Sequence, residues 1–246
     1  MAGRESRLVT ELHVPVGKRE VSYILSERRD GNYRDVGRSI LKMGRFVPIG
    51  DDTAPLFRDL YLGVNKDKEL VTEARGFLDN SGILWVYNCN LFVGEHKSLG
   101  PKGVYVVPDR KALGFGMKLD RKTLERKLKG VKEVNGVRTN GEVRFAVEGS
   151  YSLGEMDPDK LAKDGFRRIS LLDIGAKLLA EVASSLRHGI KSYDADVKDE
   201  ERPIQCVSAL VRRGGRLQVG SERWAGYWGG NSFAFPVSAY SLAQKN

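Results

Sequence analysis

Cysteine and histidine are scarce in this sequence of 246 residues, which contains 2 cysteines and 3 histidines. Cys89 and Cys206 are far apart, and each stands in an apolar run. A disulfide framework needs several cysteines, and a structural zinc site needs pairs of Cys or His a few residues apart. The sequence therefore predicts two buried free thiols, no metal site and no cofactor.

Long apolar runs are also missing. No stretch reaches the roughly 18 consecutive apolar residues of a membrane-spanning helix. The first sixteen residues carry the charges of Arg4, Glu5 and Arg7 and have no apolar core of the kind that a secretory signal contains. We therefore expect a soluble, cytoplasmic protein with no membrane partner.

The common enzyme fingerprints are absent as well. Gly114-Phe115-Gly116 lacks the third glycine and the strand-to-helix context of a dinucleotide site. No glycine-rich segment ends in Gly-Lys-Ser/Thr, and no Gly-x-Ser-x-Gly elbow occurs. These gaps leave no motif for a dinucleotide-dependent enzyme, a P-loop phosphohydrolase or a serine hydrolase.

What the sequence does contain is a set of strongly β-like segments. The longest, residues 83–95, is apolar on most of both faces, which is typical of a central strand. Residues 103–109 read as a second core strand and residues 113–120 as a weaker third. Turn residues predict hairpins elsewhere, around Asn135-Gly136, Asn140-Gly141 and Gly214-Gly215.

Helical patterns alternate irregularly with these strands. Apolar spacing and capping residues predict helices over residues 36–43, 54–62, 66–78, 120–130, 158–164 and 170–187. This order fits neither a parallel α/β alternation nor a helix bundle. We expect an α+β fold with a largely antiparallel sheet and helices packed against it. The chain reads as one domain over residues 1–246, with a possible weak subdivision near 150–157.

The net charge of +9 is distributed unevenly. Basic residues exceed acidic ones by four in residues 1–50, by six in residues 101–150 and by four in residues 201–246, and they are outnumbered elsewhere. A fold that brings these three segments together would present one positive face. Such a face favours a polyanion, and nucleic acid is the first one to consider.

A basic and aromatic segment near the C-terminus is the first candidate site. Single-stranded nucleic acid binds to a cationic track with flat side chains on which bases stack. The candidate residues are Arg212, Arg213, Arg216, Arg223, Trp224, Tyr227 and Trp228. The structural alternative is a hairpin turn with charged flanks, followed by aromatic residues that pack in the core.

The second candidate is the charged helix over residues 120–129. Lys122, Arg126 and Lys129 share one helical face and Arg121 lies beside them, so the helix could neutralise phosphates without reading bases. The alternative is a solvated helix whose charges serve solubility alone.

The third candidate resembles a metal-dependent nuclease site. Glu95 and Lys97 follow the strongest strand, and Asp109 and Lys111 follow the next one. In such sites carboxylates bind Mg²⁺ and a lysine assists the attacking water. The pattern is short, and in a chain this charged it arises easily by chance.

Three functional hypotheses follow. The leading one is a non-catalytic protein that binds RNA or single-stranded DNA, alone or as a subunit of a ribonucleoprotein complex. The second is the Mg²⁺-dependent nuclease. The third is a structural or assembly subunit that docks on a partner protein through its apolar tail from Trp224 onward.

Overall fold

A computed structural model describes residues 10–16, 19–63, 66–152, 154–186, 190–193, 203–213, 216–222 and 232–242. These residues form an α+β fold, as predicted. The helices are α1 (Tyr33–Lys42), α2 (Gly50–Leu62), α3 (Lys68–Ser81), α4 (Arg121–Lys127), α5 (Pro158–Lys163) and α6 (Gly165–Ser185). The strands are β1 (Glu11–Val16), β2 (Arg19–Ile24), β3 (Arg29–Asp30), β4 (Ile83–Val93), β5 (Gly103–Pro108), β6 (Val137–Thr139), β7 (Arg144–Val147), β8 (Gly154–Met156), β9 (Ile190–Tyr193), β10 (Ile204–Arg213), β11 (Arg216–Glu222), β12 (Ser232–Ala234) and β13 (Val237–Leu242).

The larger of two sheets has ten strands, and its main path runs β6-β7-β5-β4-β10-β11-β9-β8. β12 pairs with β4 and with β3, while β1, β2 and β13 form a separate three-stranded sheet. All pairings are antiparallel except β11 with β9 and β12 with β4. Strands from both sides of residues 150–157 pair directly in the large sheet, as β4 and β10 do.

β4 lies at the centre of the large sheet, as its sequence predicts, and all eleven of its residues are buried. Its alternate side chains point to opposite faces. On one face Trp85 and Tyr87 pack against α1, and Leu91 packs against α4. On the other, Leu84 and Val86 pack against α2, α3 and α6. The sheet therefore separates two helical layers.

Both cysteines are buried free thiols, as expected. The hairpin predicted around the two glycines at 214 and 215 is also present, because β10 and β11 pair antiparallel with Arg213 opposite Arg216. Gly214 and Gly215 themselves lie outside the described residues.

The structure corrects the strand predicted over residues 113–120. This segment contains a 3₁₀ turn (Gly114–Gly116) and no strand. The amides of Leu113 and Gly114 donate to the carboxylate of Asp109, so they are not available to a neighbouring strand. Gly114 has a φ of 53°, in the left-handed region that glycine adopts readily.

Three helices begin earlier than their patterns indicate. α1 begins at Tyr33, three residues before the predicted start. α2 begins at Gly50, four residues before the predicted start. α6 begins at Gly165, where the Asp164 side chain accepts from the amide of Arg167. α6 is not continuous, since Leu172 has φ 62° and ψ 167°, values that no α-helix contains.

Candidate nucleic-acid interface

Helix α1 carries a stripe of cations on its outer face. Asn32 caps the helix by accepting from the amide of Asp35 at 3.0 Å. Arg34, Arg38 and Lys42 follow at four-residue spacing, and all three are exposed. Residues four apart lie on the same side of a helix, so these three cations form one row.

The opposite side of α1 is held tightly against the protein. A Cβ on Gly37 would overlap the Cβ of Ala112 and lie 2.5 Å from Cε1 of Tyr87. The hydroxyl of Tyr87 donates to the carbonyl oxygen of Tyr33 at 3.0 Å. These contacts fix the orientation of α1 and place it beside the segment that contains Ala112.

That segment, residues 109–117, is organised by Asp109. The Asp109 carboxylate accepts from the amide of Leu113 at 3.0 Å, the amide of Gly114 at 2.7 Å and the hydroxyl of Tyr33 at 3.1 Å. From the sheet, Gln205 Nε2 donates to the carbonyl oxygens of Gly114 and Met117. The segment is therefore tied both to α1 and to β10.

Two acidic side chains in this buried network, Tyr33 and Cys89, have raised pKa values. Burial raises the pKa of Tyr33 well above its ordinary value, and the charge of Asp109 raises it further. Burial also raises the pKa of the Cys89 thiol, again with a contribution from Asp109. A reactive cysteine needs an accessible, low-pKa thiolate. Cys89 is buried, and its raised pKa disfavours the thiolate that a nucleophile needs.

Phe115 projects from this anchored segment with 46% of its surface exposed. A cavity of about 260 Å³ separates the segment from the start of α1. It is lined by Asn32, Tyr33, Arg34, Asp35, Leu113, Gly114, Phe115 and Gly116. An aromatic ring at the edge of a cavity that Arg34 also lines is suited to stacking with a flat ligand.

Helix α4 covers the same face of the sheet further along β4. Asp120 caps it by accepting from the amide of Thr123, and Leu124 and Leu128 face the core. The predicted residues Lys122, Arg126 and Lys129 are all exposed. The structure therefore brings these three together on the outer surface, although Lys129 lies just beyond the end of the helix.

Arg121 has a different place from its three predicted neighbours. It is buried, and its terminal nitrogens donate to the carbonyl oxygens of Gly94, Gly100 and Pro101 at 2.7–2.8 Å. The side chain holds the turn that follows β4. Arg121 is thus a buried structural residue and is not one of the exposed cations of α4.

The carboxylate of Glu125, the acidic residue inside α4, also accepts hydrogen bonds from other side chains of the protein. It accepts from both terminal nitrogens of Arg138, at 3.0 and 2.7 Å, and from the hydroxyl of Tyr105. Burial disfavours the charged form of Glu125, but these hydrogen bonds outweigh burial and hold its pKa below the usual value. Its charge is therefore matched by Arg138 and is not directed at the exposed cations of α4.

Together, residues 33–42 and 110–129 form what we call the basic layer. It contains 11 Lys and Arg against 3 Asp and Glu, so it carries +8 of the +9 net charge of the chain. Counted over helices alone, α1 and α4 contain 7 Lys and Arg against 2 Asp and Glu, whereas α2, α3, α5 and α6, on the other face of the sheet, contain 8 against 9. The charge of the protein is thus concentrated on one of its two helical layers.

Most cations of the basic layer have no counter-ion in the described part of the chain. Lys127 pairs with Glu142 at 3.3 Å. Nine exposed side chains form no ion pair with a described residue: Arg34, Arg38, Lys42, Arg110, Lys111, Lys118, Lys122, Arg126 and Lys129. Clustered like charges repel each other and attract a polyanion.

The four residues of the nuclease pattern do not meet. Glu95 and Lys97 are exposed beyond the end of β4, whereas Asp109 and Lys111 follow β5. Because β4 and β5 run antiparallel, Asp109 lies beside Tyr87, near the start of β4. The two pairs are separated by roughly 20 Å, at about 3.4 Å per residue.

Asp109 is also unsuited to hold a metal ion. Asp109 is buried and its oxygens already accept from Tyr33, Leu113 and Gly114. In the described ranges, no group of three or more His, Cys, Asp or Glu side chains could hold a metal ion.

The C-terminal candidates fall largely outside the described residues. Arg212, Arg213 and Arg216 occupy the closed end of the β10–β11 hairpin, and the structure describes their backbone only. Arg223, Trp224, Tyr227 and Trp228 lie outside the described residues. Beyond them, Phe233, Phe235 and Val237 are fully buried, so this part of the apolar tail belongs to the core and does not form an exposed docking surface.

Sequence reasoning missed the cations of α1 and the exposed ring of Phe115. The spacing of Arg34, Arg38 and Lys42 could have revealed the stripe, but a predicted helix start at residue 36 left Arg34 outside it. No local signal marks Phe115, because its exposure depends on hydrogen bonds to Asp109 and Gln205, which are distant in sequence.

Comparison of the chain with protein-family models, with curated proteins and with solved structures found no match. None of the helices in the described part of the chain has the length and apolar character that a membrane crossing requires.

Proposed function

We propose that the protein binds single-stranded nucleic acid, RNA or DNA, through the basic layer and does not cleave it. The observation that carries this proposal is the concentration of +8 charges in residues 33–42 and 110–129. Nine of these cations are exposed and unpaired among the described residues. Neutralising phosphates with such cations releases counter-ions, which supplies most of the affinity in sequence-independent binding.

The geometry of the 109–117 segment favours single strands over duplexes. Phe115 is 46% exposed beside the cavity at the start of α1, with Arg34 on the same lining. A base can stack on such a ring only when it is unpaired. Each stacked base contributes about 1–3 kcal/mol to the free energy of binding. Asp109 and Gln205 hold the segment in place, so little conformational freedom is lost on binding.

The positions of the acidic residues support the proposal that the protein does not cleave nucleic acid. Glu95 and Asp109 lie at opposite ends of the β4–β5 pair, and the Asp109 carboxylate is occupied by internal donors. A two-carboxylate Mg²⁺ site requires both groups at one metal ion.

Fluorescence anisotropy with labelled single-stranded RNA, single-stranded DNA and duplex DNA tests the proposal. If about five phosphates are contacted, affinity for single strands falls roughly 100-fold between 50 and 200 mM salt. The probes are recovered afterwards and run on a gel, with and without Mg²⁺. Salt-sensitive binding with intact probes supports the proposal; salt-independent binding, or cut probes with Mg²⁺, overturns it.

A further inference from the structure

The break in α6 lies beside an apolar cavity that opens to solvent. Its volume is about 500 Å³, and it opens between the β6 edge of the large sheet and the middle of α6. It is lined by Lys132, Val134, Val137, Thr139, Arg144, Arg168, Ile169, Leu172, Asp173 and Ile174. Volumes of 300–1,000 Å³ are typical of small-molecule sites.

The apolar part of the lining is unusually open. Val134 is 53% exposed and Ile174 is 58% exposed, although both are aliphatic. Val137 and Ile169 are buried and close the inner wall. An apolar molecule in this cavity would remove the two exposed aliphatic side chains from water, which is favourable.

The polar part of the lining includes a buried arginine. Arg144 is only 2% exposed, and its terminal nitrogens donate to both oxygens of Asp51 and to the carbonyl oxygen of Ile169. Its Nε is buried and has no hydrogen-bond partner among the described residues. Because this Nε has less than 1 Å² of accessible surface, a molecule in the cavity meets the positive charge of Arg144 and not this donor.

A helix terminus lies beside this arginine. Leu172 has non-helical φ and ψ values, so residues 173–185 form a second helical segment that starts at the cavity. Amides in the first turn of a helix lack acceptors within that helix and favour an anion. Asp173 lies in this turn, but Arg168 Nε donates to it at 2.6 Å and balances its charge.

We propose that this cavity binds a small amphipathic carboxylate, with the aliphatic chain against Val134, Val137 and Ile174 and the head group facing Arg144 and Lys132. Counting Asp51, the charged groups at the cavity are three cations and two carboxylates. The surplus of one positive charge matches a single anionic head. The site is independent of the basic layer, because Val137 and Ile169 pack on the other face of the sheet.

Isothermal titration calorimetry with sodium octanoate, 1-octanol and sodium butyrate tests the proposal. We expect saturable binding of octanoate with a dissociation constant below about 1 mM. Octanol, which lacks the charge, and butyrate, which lacks the chain, bind at least tenfold more weakly. A folded protein that gives no saturable octanoate signal, or that binds octanol equally well, overturns the proposal.

Two variants place the binding at this cavity. Thr139→Trp fills the space from an exposed position and abolishes octanoate binding, whereas Thr72→Trp, on α3, leaves binding unchanged. Lys132→Gln weakens octanoate at least threefold without affecting octanol, and Lys66→Gln serves as its control. Circular dichroism confirms that each variant is folded. Unchanged octanoate affinity in folded Thr139→Trp contradicts the proposed location.

Discussion

Asp109 accepts a 2.7 Å hydrogen bond from the amide of Gly114, and this contact shapes the segment that presents Phe115. From the sequence alone, Asp109 is a candidate Mg²⁺ ligand. In the structure its carboxylate is instead an internal acceptor for two amides and a tyrosine hydroxyl.

The first prediction concerns this structural role. Asp109→Ala leaves the donors of Leu113, Gly114 and Tyr33 without their acceptor, so we expect a loss of about 2–4 kcal/mol in the free energy of unfolding. Urea denaturation followed by circular dichroism measures this loss. Mg²⁺ should not raise the melting temperature of the wild-type protein; a clear rise would contradict the structural role and restore the metal hypothesis.

The second prediction concerns the packing of α1. Gly37→Ala places a methyl group against Ala112 and Tyr87 and should destabilise the protein by about 1–3 kcal/mol. Gly76→Ala is the matched control in α3, where an added Cβ meets no atom of the described structure within 4 Å. The control should gain about 0.4–1 kcal/mol, because alanine restricts the unfolded chain. Equal effects at the two positions would show that α1 is not packed as described.

The third prediction concerns alkaline pH. Burial raises the pKa values of Cys89, Tyr33 and Tyr87 in the folded protein. The folded state therefore keeps protons that the unfolded chain releases, first from the thiol near its ordinary pKa of 9.0. Below about pH 9 these groups do not lower the free energy of unfolding. As the pH rises above the ordinary pKa of each group, the free energy of unfolding falls by about 1.4 kcal/mol per pH unit for that group.

The variant that checks this is Cys89→Ala. Its free energy of unfolding should fall less steeply than that of the wild-type protein between pH 9 and pH 10, since one titrating group is gone. Urea denaturation at a series of pH values measures both slopes. Identical slopes would mean that the thiol titrates normally in the folded protein.

The fourth prediction concerns stacking on Phe115. Phe115→Ala should weaken single-stranded RNA binding by about 1–3 kcal/mol and leave duplex binding nearly unchanged. Its exposed position implies little change in stability. Ile174→Ala, an exposed apolar residue on the other face of the sheet, is the control and should bind RNA normally. Equal losses for single strands and duplexes would exclude stacking at Phe115.

The sequence predicts those parts of the structure that depend on local pattern. The central position of β4 follows from its apolar side chains on both faces, and α4 follows from the cap at Asp120. The strand predicted over residues 113–120 is wrong because Asp109 and Gln205 use side chains to bind that backbone. The break at Leu172 has no local signal either, since leucine normally favours a continuous helix.

The candidate site was predictable only in part. Lys122, Arg126 and Lys129 are exposed together, as their spacing in the sequence indicates. The burial of Arg121 depends on the carbonyls of a turn some twenty residues away, which no helical pattern reveals. Parts of two of the three basic segments, residues 33–42 and 110–129, lie on one face, and this placement depends on the sheet order and not on local sequence.

The measurement that tests the central claim most directly compares two triple variants in single-stranded RNA binding. Arg34→Gln, Arg38→Gln and Lys42→Gln together remove three charges from the basic layer. Lys68→Gln, Lys163→Gln and Lys177→Gln remove three exposed charges from the other helical layer. We expect the first variant to bind RNA roughly tenfold or more weakly, and the slope of log K against log[salt] to become about 2 units shallower. The affinity of the second variant should change little. Equal weakening by both, or by neither, would contradict binding through the basic layer.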